Sequence, residues 1–208
     1  MAEAYPSSSS EPTAEESAKN RIVKAEEYKQ AGNILYKEKS YKMAIGKYHR
    51  ALLQVRDIDN QRPKPLLKGL MGLAGEGNNV FKQDKNLTNE MTQQVKQLEL
   101  SCYNNLAACL LHDIDPNYEK IIQYCDEVLK RDSKNPKAWY RQGVALYHTQ
   151  EYKEAQNCLN KAKRSMPRDG EILRYLRLCE EGNAKQLRTE KQRCQGLFKK
   201  MAEEDSDG

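Results

Sequence analysis

The sequence predicts an all-α protein: a right-handed superhelical solenoid of three helix–turn–helix repeats that ends in a C-terminal capping helix. Three observations predict this fold. Apolar residues recur at helical spacing along most of the chain. Two stretches far apart in the chain share one order of large and small residues. The apolar fraction, 38%, is low beside a charged fraction of 31%, which suits a solenoid because each repeat contacts only its neighbours.

The first and third repeats carry the same pattern. We assign the first repeat to residues 18–58 and the third to residues 136–168. In the first, the patterned positions are Tyr28, Gly32, Leu35, Tyr41, Ala44, Tyr48 and Ala51. In the third, they are Trp139, Gly143, Leu146, Tyr152, Ala155, Leu159, Ala162 and Pro167. This is the tetratricopeptide (TPR) pattern, with a period of about 34 residues, in which small residues let the two helices of one repeat approach closely.

The second repeat is less regular. We assign it to residues 89–135, with an extended first helix that begins near Asn89 and keeps helical spacing through Met91, Val95 and Leu98. Its turn carries about two extra residues at 114–117 relative to the other repeats. An Asp-Pro-Asn sequence can absorb them in a turn.

Four segments lie outside the repeats. Residues 1–17 are rich in Ser, Glu and Pro and predict a disordered tail, because they cannot bury enough apolar surface to offset the entropy of ordering. Residues 59–88 hold two prolines and four glycines and predict an inserted loop. Residues 169–201 predict the capping helix that a solenoid end requires. Residues 202–208 predict an acidic, disordered tail.

Composition and motifs exclude several functions. The net charge of +5 is too mild to indicate a nucleic-acid partner. The six cysteines form no CxxC pair, and the chain has no secretory segment, no long apolar run and no myristoylation site, so we expect a cytoplasmic protein without a membrane partner. No catalytic motif occurs and the three histidines lack metal spacing, so we expect no enzyme activity, cofactor or metal. We expect a monomer.

Five polar residues fall at matching positions on the first helices of the repeats. Lys29 and Asn33 are four residues apart, so they share a helix face, and Lys137 and Arg141 do the same. Asn105 and Arg141 each lie two residues before the small position of their repeat. In a right-handed stack, we expect all five to face one groove.

These residue types suit a carboxylate ligand. A C-terminal aspartate offers two carboxylates and no donor, so its host must supply donors, which Lys, Arg and the Asn amide provide. Hydrogen bonds to charged groups contribute roughly 1.5–3 kcal/mol each. A few of them, less the ordering of the peptide, predict micromolar binding, about −8 kcal/mol.

The pattern resembles known proteins in two ways. The clamp residues, within KxxGN, NLAA and KxxxR, resemble the carboxylate-clamp repeats of cochaperones. The chain also resembles the tetratricopeptide repeat protein 9 family over most of its length, through AIGKYHRALL, CYNNLAACLL, NYEKIIQYCDEVLK and AWYRQGVALYH, at 44–53, 102–111, 117–130 and 138–148, and through the insert. The resemblance implies a non-enzymatic adaptor that binds the Glu-Glu-Val-Asp C-termini of 90-kDa and 70-kDa heat-shock chaperones.

Two alternatives remain open. In one, the protein is a scaffold that binds a cytoskeletal or signalling partner through the insert or through the basic end of the capping helix. That end carries Lys185, Arg188, Lys191, Arg193, Lys199 and Lys200. In the other, the acidic tail of the chain occupies the groove itself, so that removing the tail would tighten peptide binding.

Overall fold

The computed structural model describes residues 13–56, 58 and 88–204, and all the regular structure in these residues is helical. The helices are α1 (Ala14–Lys37), α2 (Tyr41–Arg56), α3 (Asn89–Leu111), α4 (Tyr118–Arg131), α5 (Pro136–His148), α6 (Tyr152–Ser165) and α7 (Gly170–Glu204). The prediction of an all-α protein is confirmed. The predicted disorder of residues 1–12 and 205–208 and the predicted loop at 59–87 lie outside the described residues.

The first helix begins earlier than the sequence predicted. The side-chain oxygen of Thr13 accepts a hydrogen bond from the amide of Glu16 at 3.3 Å, and α1 starts at Ala14. Disorder through residue 17 was therefore wrong. Composition hid the helix start, because a threonine cap followed by acidic residues stabilises the positive end of a helix dipole whatever the local hydrophobicity.

The last helix ends later than predicted. It continues to Glu204, past the expected end at residue 201, so the predicted tail at 202–208 is helical in its first part. The reason is local: Ala202 and the two glutamates after it favour a helix, and no proline or glycine precedes Gly208 in that stretch.

Helix starts and turns follow local chemistry. Asn117 and Asn135 cap α4 and α5 by accepting hydrogen bonds from the amides of Lys120 and Ala138. The α1–α2 and α5–α6 turns match one another at 38–40 and 149–151, whereas the α3–α4 turn spans 112–117. The chain therefore places its irregular residues in the second repeat, where the sequence predicted a longer turn.

The structure divides into two compact units, Met1–Cys102 and Tyr103–Gly208. The first unit contains α1, α2 and the first part of α3. Its helix pair packs where a Cβ on Gly32 would lie 2.7 Å from the Tyr48 ring, so only glycine allows this approach. Apolar side chains of α3 are buried in the same unit: Met91, Val95, Leu98 and Cys102.

The second unit contains the end of α3 and helices α4 to α7. Its core combines residues of the third repeat and the capping helix: Leu146, Ala155, Cys158, Leu159, Ala162, Ile172, Leu176 and Cys179. A Cβ on Gly143 would lie 2.7 Å from Cγ of Leu159, the same device as in the first repeat. Burial of this seam holds α5, α6 and α7 together.

Helix α7 changes character along its length. Its first part is anchored through the core and through Gly182, where a Cβ would lie 2.6 Å from the Tyr152 ring. The side-chain amide of Gln186 donates to the carbonyl of Gln150 at 3.1 Å. From Ala184 to Leu197 every residue is exposed. None of the described helices is long and apolar enough to cross a membrane.

Candidate peptide-binding site

The two predicted clamp residues of the first unit are both held by neighbours in their own repeat. Nζ of Lys29 lies 2.7 Å from Oε1 of Glu26, one helical turn earlier on α1, and the lysine side chain is 21% exposed. The hydroxyl of Tyr48 on α2 donates to Oδ1 of Asn33 at 2.8 Å. Both side chains therefore have fixed positions on α1.

These contacts determine what each residue can offer to a ligand. Because the carbonyl oxygen of Asn33 accepts from Tyr48, the amide nitrogen is the atom that can donate to a carboxylate. Glu26 is a competitor, because a carboxylate ligand of Lys29 must replace or share this ion pair. The sequence analysis identified donors alone and gave Glu26 and Tyr48 no role at the site.

In the second unit, α3 supplies Asn105 and α5 supplies Lys137 and Arg141. Lys137 is exposed, whereas Asn105 and Arg141 are half-buried. Nη1 of Arg141 donates to Oδ1 of Asn104 at 3.0 Å. This hydrogen bond joins the first helices of the second and third repeats at the residue that precedes Asn105 in the sequence.

Asn104 is a site residue that the sequence analysis missed. It lies next to Asn105 in an Asn-Asn pair, and the repeat pattern assigned a role only to the second asparagine. By accepting from Arg141, it orients the guanidinium without neutralising it, since an amide carries no charge. A doubled asparagine at this position is the signal that could have indicated it.

The positive charge of Arg141 acts on two buried thiols of the second unit, Cys109 and Cys125. It lowers the pKa of the Cys109 and Cys125 thiols, but burial is the larger effect and raises each pKa to about 12. Both thiols are therefore neutral at physiological pH. The nearby carboxylate of Asp126 accepts a hydrogen bond from Nε2 of Gln142 at 2.7 Å. The carboxylate of Asp126 is thus held by a side chain of α5.

The five predicted residues lie in different units. Lys29 and Asn33 belong to the first, and Asn105, Lys137 and Arg141 belong to the second. Contacts within each unit support a donor-rich surface there. That the two surfaces meet in one groove stays a prediction.

No candidate metal site is seen among the described residues, and His148 is packed against aromatic rings. Within 13–56, 58 and 88–204, no group of three or more His, Cys, Asp or Glu side chains is placed to hold a metal ion. His148 stacks on Tyr118, with 4.5 Å between ring centroids and 10° between planes. Burial, aided by the charge of Arg174, lowers the pKa of His148 below its ordinary value. The imidazole therefore has a packing role between aromatic rings.

The comparison with known proteins agrees with the repeat pattern. The model of the tetratricopeptide repeat matches residues 136–169, which are the third repeat and its end. Tetratricopeptide repeat protein 9C of Xenopus tropicalis is 36% identical over 177 residues, which cover 85% of this chain and 93% of that protein. This chain belongs to the tetratricopeptide repeat protein 9 family.

A second relative is a cochaperone. The Hsp70/Hsp90 co-chaperone cns1 of Schizosaccharomyces pombe is 40% identical over 78 residues, which cover 38% of this chain and 21% of that protein. The likeness is therefore to one part of a longer protein.

Solved structures share the fold. The C-terminal TPR-containing domain of a Plasmodium falciparum protein described as FK506-binding is 27% identical, with a TM-score of 0.62 over 83% of this chain and 95% of that one. The first TPR domain of Spaghetti (RPAP3), bound to the HSP90 peptide SRMEEVD, is 17% identical, with a TM-score of 0.53 over 78% of this chain and 95% of that one. Both support the TPR fold.

Proposed function

We propose that this protein is a cytoplasmic, non-enzymatic adaptor that binds the acidic C-terminal peptide of a heat-shock chaperone of the 90-kDa or 70-kDa class. The ligand's terminal carboxylate and aspartate side chain bind to a carboxylate clamp of Lys29, Asn33, Asn105, Lys137 and Arg141. The clamp is complete when the two units present these side chains to one peptide.

The observation that carries the proposal is the arrangement on α3 and α5. Arg141 is oriented by a neutral partner, Asn104, and the exposed Lys137 lies one turn before it. Two positive charges on one helix face, close to an amide donor, fit a ligand that carries two carboxylates and no donor.

The relatives support the same kind of partner. The fission-yeast relative is a co-chaperone of Hsp70 and Hsp90, and the first TPR domain of Spaghetti binds an HSP90 peptide that ends in Glu-Glu-Val-Asp. The peptide's net negative charge also complements the net charge of +5 on this chain, which favours fast association.

The test is a calorimetric titration with a Glu-Glu-Val-Asp peptide. The change is Lys137→Ala combined with Arg141→Ala, and we expect binding to be lost because two charged donors disappear. The matched control is Lys153→Ala combined with Arg164→Ala, two exposed cations on α6 whose removal changes the net charge equally. The control should bind as the unmodified protein does. Equal affinity of the clamp variant and the control, with helical circular dichroism in both, would reject the clamp.

A further inference from the structure

The described side chains in the far part of α7 are exposed to solvent as far as Leu197. From Leu187 to Leu197 every residue is exposed, and two large apolar side chains are 58% and 62% exposed, Leu187 and Leu197. A helix in a protein gains most of its stability by packing its apolar side chains against a neighbour, and exposed leucines do not contribute in this way. Exposed apolar residues at helical spacing commonly mark an interaction surface. The peptide-binding role proposed above makes no use of this segment.

The apolar residues of this segment share one side of the helix. Leu187, Cys194 and Leu197 are spaced by seven and three residues, so they fall within roughly 80° of arc at about 100° per residue. Lys185, Arg188 and Arg193 fall outside that arc. Glu190 falls inside the arc, so the segment is an amphipathic helix whose narrow apolar stripe is interrupted by one carboxylate. We call the exposed segment from Ala184 to Leu197 the α7 extension.

The net charge of the α7 extension indicates which class of partner it can bind. Four basic residues and one acidic residue, Glu190, give it a net charge of +3. A second copy of this helix would repel it, because like charges would be brought together. An acidic partner would be attracted, and a groove lined with apolar side chains would cover the stripe.

We propose that the α7 extension is a docking helix for an acidic EF-hand protein in its calcium-loaded form. Calcium opens such proteins and exposes a methionine-rich groove that takes one amphipathic helix. A basic amphipathic helix is the complementary ligand. A membrane surface is the less suitable occupant, because the apolar stripe is narrow.

The position of α7 suits docking without disturbing the fold. The helix is anchored in its first part by Gly182 against Tyr152 and by Gln186 on the Gln150 carbonyl. The part of the α7 extension that follows Gln186 is exposed as far as Leu197, so a partner can surround it while the core of the second unit stays intact.

The experiment titrates the full chain with calmodulin, used as the probe of this chemistry, in calcium and in EDTA. We expect one-to-one binding in calcium that is lost in EDTA, where the probe keeps its acidic charge and its groove closes. Leu187→Asp should weaken binding by about tenfold or more. Leu53→Asp on α2 is the matched control, because Leu53 is also 58% exposed, and it should leave binding unchanged.

A second pair of variants separates groove binding from charge attraction. Glu190→Gln and Glu190→Leu remove the same charge, but only leucine extends the apolar stripe. Glu190→Leu should bind more tightly than Glu190→Gln. No binding in calcium, binding that persists in EDTA, or equal affinities of the two Glu190 variants would each overturn the proposal. Binding to phosphatidylserine vesicles with none to calmodulin would assign the surface to membranes, and dimerisation in sedimentation velocity would assign it to a second copy.

Discussion

The helix pairs of the first and third repeats use the same packing device but hold their polar residues differently. In both, a glycine faces a large side chain, Gly32 against Tyr48 and Gly143 against Leu159. In the first pair, Lys29 has an acidic neighbour within the same helix. In the third pair, Arg141 is held by a neutral side chain from the preceding repeat. Packing thus repeats with the sequence pattern, whereas the contacts of the polar residues depend on neighbours outside that pattern.

We expect the largest effect on peptide affinity from removing one of the two cations, Arg141. Arg141→Ala should weaken binding of a Glu-Glu-Val-Asp peptide by about tenfold to a hundredfold, because it removes a charge-assisted donor worth roughly 1.5–3 kcal/mol. Lys29→Ala should cost less, since Glu26 already offsets part of that charge. Isothermal titration of both variants checks the order. A larger loss for Lys29→Ala would show that the ion pair does not compete with the ligand.

Glycine substitutions test the shared packing device. Gly143→Ala should destabilise the protein by about 1–3 kcal/mol, because the new Cβ meets the buried Leu159 side chain and the Ala155 carbonyl. Gly196→Ala is the control: nothing lies within 4 Å of its Cβ position, so it should gain about 0.5–1 kcal/mol through helix propensity. Urea unfolding gives both values. Equal effects would mean that close approach does not explain Gly143.

Much of the architecture followed from the sequence because apolar spacing and small residues are local signals. The pairs Gly32 with Tyr48 and Gly143 with Leu159 confirm why the small positions are small. The start of α3 at Asn89 also agrees with its helical spacing. The early start of α1 was missed because one threonine cap outweighed an otherwise disorder-like composition.

The site was less accessible to sequence reasoning. Residue types and spacing identified candidate donors, but Glu26 lies one turn from Lys29 and competes for its charge. Asn104 contacts a helix from another repeat, and no pattern within a single repeat contains that contact. Partners across helices depend on side-chain conformations that spacing alone does not specify.

Removing the charge of Glu26 tests whether its ion pair with Lys29 competes with the ligand. Glu26→Gln should tighten peptide binding by up to about fivefold, because a partly exposed ion pair is worth roughly 0.2–1 kcal/mol and Lys29 no longer needs to exchange partners. Glu127→Gln is the matched control. It removes an equivalent carboxylate, on α4, that pairs with Lys130 and Arg131. Tightening of the same size in both variants would attribute the gain to net charge.

We expect the smallest effect from His148, whose protonation makes the stability of the fold depend on pH. The pKa of His148 is lowered in the folded protein, so the unfolded chain binds more protons between that lowered value and the ordinary 6.5. Stability therefore rises with pH through this window and falls on acidification below about 6.5. His148→Gln should flatten that part of the profile in thermal unfolding followed by circular dichroism. An unchanged slope would show that burial and the charge of Arg174 do not lower the pKa of His148 in the folded protein.

We propose that donors of both units bind the carboxylates of one peptide. The most direct test places a nitroxide near the C-terminal aspartate of a Glu-Glu-Val-Asp peptide and follows the side-chain amide signals of Asn33 and Asn105 by nuclear magnetic resonance. If the clamp is shared, we expect paramagnetic broadening of both amide signals when the labelled peptide binds. Competition with unlabelled peptide should remove this broadening. Broadening of only one of them, or of neither while the peptide stays bound, would contradict a shared clamp.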